Sequence, residues 1–149
     1  MRRLETRKLE QLEFRDHRKQ ENADEMAYPP MLIITRHQDT IRPILERHNV
    51  SYRHVFKPIG AEVLAVRVKG RSNTVERAEL LAETRKSIAI DSGSLLIDLI
   101  QPNGRMAALL LDPRSISSIF RYPEFAALVV PEEEFFIYRT LKSALLNQP

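Results

Sequence analysis

The 149-residue sequence contains no cysteine, so disulfides, thiolate metal sites and cysteine nucleophiles are all excluded. Glycine is nearly as scarce: Gly60, Gly70, Gly93 and Gly104 are too scattered to build a phosphate-cradling loop. No apolar run exceeds six residues, the length of Phe125 to Val130, where a bilayer-spanning helix needs about 20. The first ten residues, MRRLETRKLE, are basic but lead into no apolar segment, so they do not read as a secretory signal. No histidine is followed three residues later by glutamate, which removes the commonest paired zinc ligands of hydrolases, and no serine stands in nucleophile-elbow spacing. Charge of one sign is lacking too. The 23 basic and 20 acidic residues leave a net charge of +3, a mixed surface that argues against nucleic acid as a default partner.

What remains is the composition of one ordinary domain, 43% apolar and 29% charged. Residues 1–27 stand apart. More than half of them are charged or histidine, with Leu4, Leu9, Leu12 and Phe14 as a thin apolar stripe, and they read as a charged N-terminal helix or arm. Tyr28-Pro29-Pro30 ends it, because proline lacks the amide donor and restricts the residue before it. Residues 28–149 form the domain proper. Met31 to Thr35 is a buried-strand pattern. Ile41, Ile44, Leu45 and His48 mark one helix face, with Asp39 or Thr40 expected as its cap, Pro43 in its first turn and Asn49 as its left-handed stop. Ser51 to Lys57 and Leu64 to Lys69 alternate as strands. The start is therefore β-α-β-β, and the predicted class is a single α+β domain with a mixed sheet.

Further on, Thr74 to Lys86 suits a helix or a strand equally well. Ile88 to Ile90 and Leu95 to Ile100 read as strands around a turn at Asp91 to Ser94. Gln101-Pro-Asn-Gly104 is a turn, Met106 to Leu111 is rich in helix formers, and Asp112-Pro113 ends that stretch. Ala126 to Val130 and Phe135 to Tyr138 are strand candidates, split by Pro131 and Glu132 to Glu134.

Candidate chemistry is sparse. His37, Asp39, His48 and His54 are the residues from which a metal site would have to come, but their spacing is nonspecific, and no cofactor is expected. Asp91, Asp98 and Glu132 to Glu134 read as turn and surface carboxylates. Arg36, Arg42, Arg53, Lys57, Arg67 and Lys69, with Tyr52 and Phe56 nearby, give a basic side of the kind that holds single-stranded nucleic acid, or an ordinary charged surface.

Four blocks together resemble the C-terminal accessory domain that follows the catalytic domain in bacterial zinc carboxypeptidase-like metallopeptidases. They are MLIITRHQDTIRPILERHNVSYRHV, AEVLAVRV, DSGSLLIDLIQPNGRMAALLLDPRS and EFFIYR, spread over residues 28–140, with Gln101 to Ser115 the most specific. Asn49 stands where that pattern usually has glycine, and the stretch from Ser115 to Phe135 is shortened. The family's zinc ligands and catalytic glutamate belong to the preceding domain, so none has a counterpart here. The resemblance implies a strand at Thr74 to Ala82 and a helix at Arg105 to Leu111. It also implies a non-catalytic accessory or interaction module, whose partner is a peptidase domain or a second copy bound through an apolar patch. Phe120, Tyr122, Phe125, Phe135 and Phe136 are the aromatic candidates for that surface, with core packing as their alternative role. A small basic nucleic-acid-binding module is the competing function.

Overall fold

The computed structural model describes residues 29–69 and 78–141. The charged N-terminal segment 1–27 and residues 74–77 of the ambiguous stretch lie outside them.

Six strands form one sheet in the order β2-β5-β1-β6-β3-β4. Every pairing between them is antiparallel, so the sheet is not mixed. The reason lies in the connections. Parallel neighbours need a crossover of a dozen or more residues, whereas here the strands that follow one another closely either pair as a hairpin or return on different neighbours.

β1 (Met31–Ile34) is buried on both faces, which is why it is a continuous apolar run rather than an alternating one. It pairs with β5 (Leu95–Asp98) on one side and β6 (Ile137–Thr140) on the other. α1 (Gln38–Arg47) buries Ile41, Ile44 and Leu45 on its inner face. Its start departs from expectation. Neither Asp39 nor Thr40 caps it; His37, at φ 60°, turns the chain out of β1, and its carbonyl accepts from the amides of Thr40 and Ile41. Asp39 instead lies in the first turn, where its charge suits the positive helix end and meets Arg42 at 3.6 Å. Pro43 falls in the second turn, so the exposed Asp39 carbonyl has no helical donor four residues on. The far end is as read from the sequence. Asn49 adopts φ 52°, its amide reaches the Glu46 carbonyl, and the Val50 amide reaches Leu45, the paired bonds of a Schellman stop.

β2 is only Arg53–His54. β3 (Ile59–Lys69) begins before Gly60, and β4 (Glu79–Ile90) is one strand where two were expected. The two pair along their whole length, with a bulge opposite Arg67 and Val68 that leaves Leu81 as the extra residue. After β5 come α2 (Gly104–Leu111), a 3-10 turn at Ile119–Arg121, and α3 (Pro123–Ala126). Ala126 to Val130 is therefore not a strand. Pro123 presets the first helical position, and the amides of Leu128 and Val129 turn back to the carbonyls of Phe125 and Ala126. That period brings Phe125, Leu128 and Val129 together against the core.

One core lies between the sheet and the helices: Leu32, Ile34, Leu95, Ile97, Val66 and Val68 from the sheet meet Ile41, Leu45, Ala107, Leu111, Ile119 and Phe120. The opposite face holds a second cluster of Met31, Ile33, Val55, Val63, Ile90 and Leu96. A flat sheet would place β5 and β4 four strand spacings apart, about 19 Å. Yet four residues join Ile90 to Leu95, and Ile90 shares a cluster with Leu96. The sheet is therefore strongly coiled. The lower half of the β3–β4 hairpin bends over the face of β1 and β5, helped by the reciprocal bonds of Val55 with Gly93 and Ser94.

Candidate interaction surface and charged clusters

Five aromatics were the expected docking surface. Phe120 is 1% exposed, Phe136 equally so, and Phe135 is buried beside them, so these three are core residues and cannot meet a partner. Their rings stack edge-on or tilted with centroids 4.8 to 5.9 Å apart. The cause is topological. Phe135 and Phe136 lead into β6, which runs through the middle of the sheet, and Ser118 fixes the 3-10 turn beneath them by accepting from the Phe120 amide. Phe125 is half-buried against the same core, and Tyr122, at 62% exposure, is the one member of the set that faces solvent.

Most of the exposed large apolar residues lie in that part of the chain, with Phe56, Leu80 and Leu81 outside it. Ile100, Met106, Leu109, Ile116, Tyr122 and Val130 all fall between the end of β5 and the start of β6. α2 explains why. Its sequence, GRMAALLL, is apolar apart from the exposed Arg105, so that burying Ala107 and Leu111 leaves Met106 and Leu109, three residues apart, on the outer face.

The block that carried most of the family resemblance holds the fold together. Gln101 bonds both backbone groups of Ser51, accepting from its amide at 2.7 Å and donating to its carbonyl at 2.9 Å, and Asn103 donates to the carbonyls of His48 and Asn49. Together they tie the end of α1 to the start of α2. Gly104 lies so close to Leu99 that a Cβ there would sit 2.0 Å from its carbonyl oxygen. Asp112 accepts from the Arg114 guanidinium at 2.9 Å.

Two charged clusters were not legible in the sequence. On the helix-covered face, Glu83 of β4 accepts from Arg139 of β6 at 2.6 Å and lies 3.7 Å from Arg114, which pairs with Asp112. The Arg139 side chain is 9% exposed, so this network compensates a nearly buried cation. On the other face, Glu134 pairs with Lys86 and accepts from the Tyr138 hydroxyl at 2.6 Å, while Arg36 donates to its backbone carbonyl. Glu134 is thus no free surface carboxylate. Burial alone would raise its pKa, but the hydrogen bonds from Lys86 and Tyr138, with the charges of Lys86 and Arg67, outweigh this and hold it below its ordinary value. Burial pushes the Tyr138 phenol up to about 12, with the bond to Glu134 and its charge acting in the same direction. Finding these groups needed the strand register, which puts residues some fifty positions apart side by side.

The histidines serve other ends. His37 packs edge-on against Phe136 and His54 against Tyr52, whose hydroxyl donates to Glu46 at 2.7 Å. Among the described residues, no three of histidine, aspartate and glutamate stand together as metal ligands would, so His37, Asp39, His48 and His54 are not assembled into a site. Among the described helices none is long and apolar enough to cross a membrane.

No protein-family model matches this chain. No curated protein and no solved structure is significantly similar to it.

Proposed function

We propose that the chain is a non-catalytic docking module of the kind that accompanies zinc carboxypeptidase-like peptidase domains, and that its partner is such a domain. The supporting observation is the placement of exposed apolar side chains. Six large ones, Ile100, Met106, Leu109, Ile116, Tyr122 and Val130, fall in the connection between β5 and β6, and a surface shaped to be covered retains such area. The residues that resemble the peptidase accessory pattern serve as clamps and close contacts, a structural role that suits a module without chemistry of its own.

Two measurements on the purified protein test this reading. With added zinc, it should hold no stoichiometric metal and release no C-terminal residue from a peptide panel. Titrated against a zinc carboxypeptidase catalytic domain, it should bind, and Leu109→Asp should weaken that binding at least tenfold. Bound zinc with cleavage, or binding indifferent to Leu109→Asp, would overturn the proposal.

One observation favours a second reading, a module for single-stranded nucleic acid. Phe56 is 86% exposed and lies between the exposed cations Arg53 and Lys57. Arg42 and Tyr52, counted in that basic side from the sequence, are engaged with Glu46 instead. Under this reading, oligonucleotide affinity falls steeply with salt and drops again in Phe56→Ala.

A further inference from the structure

β4 is one of the two edge strands of the sheet, with β2 at the other end, and among the described residues no strand pairs with its free edge. It is twelve residues long and contains no proline. Long unpaired edges are templates for another strand. What distinguishes this one is its charge order, Glu83-Thr84-Arg85-Lys86, with Glu83, Thr84 and Arg85 all exposed.

We propose that two copies of the chain associate through β4, antiparallel and about a two-fold axis at Thr84. In that register Thr84 faces its own copy, Glu83 faces the partner's Arg85, and Ala82 faces the partner's Lys86. Opposite charges meet on both sides of the axis. A shift of the axis to Glu83, Arg85 or Lys86 places like charges directly against each other, which is destabilising. A two-fold contact must be self-complementary, and among the axes at residues 83 to 86 only Thr84 satisfies this.

The rest of the molecule is consistent with that geometry. Arg139 and Arg114 both engage Oε2 of Glu83. The bulge at Leu81 limits the regular ladder to Ala82 to Lys86. Beyond it, the exposed Leu80 and Leu81 reach the partner's Ile88 and Ser87, covering apolar surface that has no cover among the described residues. The contact is small, so it belongs to the weak class of interfaces, with dissociation in the micromolar range or above. It does not involve Leu109 or Tyr122, and so stands or falls separately from docking on a peptidase domain.

The absence of cysteine makes the test clean. Residues facing each other across an antiparallel pair have Cα atoms about 4.5–5.5 Å apart, within disulfide reach. Under mild oxidation of the full chain, Thr84→Cys should form a covalent dimer at least tenfold faster than Ser87→Cys, whose copies stand about 20 Å apart in this register. In sedimentation equilibrium, the unsubstituted chain should show a monomer–dimer equilibrium, and Arg85→Glu should raise its dissociation constant about tenfold by setting Glu83 against glutamate. Monomers alone at several hundred micromolar, equal cross-linking at positions 84 and 87, or a dimer that Arg85→Glu leaves unchanged while Leu109→Asp dissolves it, would each overturn the proposal.

Discussion

Gly104→Ala should destabilise the protein although alanine is the better helix former. The Cβ would sit 2.0 Å from the Leu99 carbonyl oxygen, 2.5 Å from its carbon and 2.8 Å from its Cα. A carbon against an oxygen needs a little over 3 Å, so the start of α2 must retreat from the end of β5 by more than about 1 Å. It cannot retreat alone. Ala107 and Leu111 of the same helix are fully buried in the main core, and Asn103 anchors the preceding turn to the end of α1. Overpacking of this kind costs about 1–3 kcal/mol. The Gly104 amide also donates to the Gln101 carbonyl at 2.9 Å, a bond worth about 1 kcal/mol that the shift would strain. Against this stands at most about 1 kcal/mol of helix propensity. The net loss is about 1–3 kcal/mol, or roughly 3–10 °C in melting temperature for a chain of this size. Urea and thermal denaturation followed by circular dichroism would measure it. Gly60→Ala is the control, because nothing lies within 4 Å of the added carbon, and its effect should stay within about 0.5 kcal/mol of neutral or be stabilising. A Gly104→Ala protein as stable as the parent would refute the close approach of α2 to β5.

Phe120→Ala should cost about 3–5 kcal/mol and Phe56→Ala less than about 0.5, a contrast readable by denaturant titration; similar values would refute the burial that separates them. Glu83→Gln should cost about 1–3 kcal/mol, because it leaves the nearly buried Arg139 facing a neutral group, and the loss should persist in high salt. The highest of the tyrosine titrations, followed by absorbance, should lie near 12 and move down in Glu134→Gln. The corresponding stability is fully present below the ordinary tyrosine value of 10 and is lost as pH rises through about 12; titration of every phenol near 10 would refute the pairing of Tyr138 with Glu134. Glu134 has the opposite sign, its contribution being lost as pH falls through its lowered value.

Local signals in the sequence survived intact. The four-residue apolar run of β1, the apolar face of α1 and the left-handed Asn49 each depend on neighbours within a turn or two, so the pattern alone identifies them. Met106 to Leu111 is a run of helix formers, and the family resemblance decides for the helix that α2 forms there. Failures begin where a neighbour is remote. Gly60 looked like a break, but β4 pairs with β3 straight through it. Ala126 to Val130 has strand composition, and Pro123 together with the core beneath it imposes turns. Phe135 and Phe136 could equally have faced a partner or a core, and only the central place of β6 decides between them. Glu83 and Arg139 are charges of no local distinction that become partners once β3 lies between their strands.

That central place of β6 bears on how the chain acquires its structure at all. β6 is the last described strand in sequence, and it joins two parts of the sheet that no other strand pairing connects, β2-β5-β1 on one side and β3-β4 on the other. Its contacts with β1 close loops of roughly a hundred residues, the kind of topology that slows folding most. A nascent chain can form the β3–β4 hairpin early, since its arms are close in sequence. It cannot close the main core until Phe135, Phe136 and Ile137 have left the ribosome, and until then β1 and β3 each keep a bare edge. Folding should therefore end in a single late step, the insertion of one four-residue strand, with aggregation through the unfilled slot as the competing fate during synthesis.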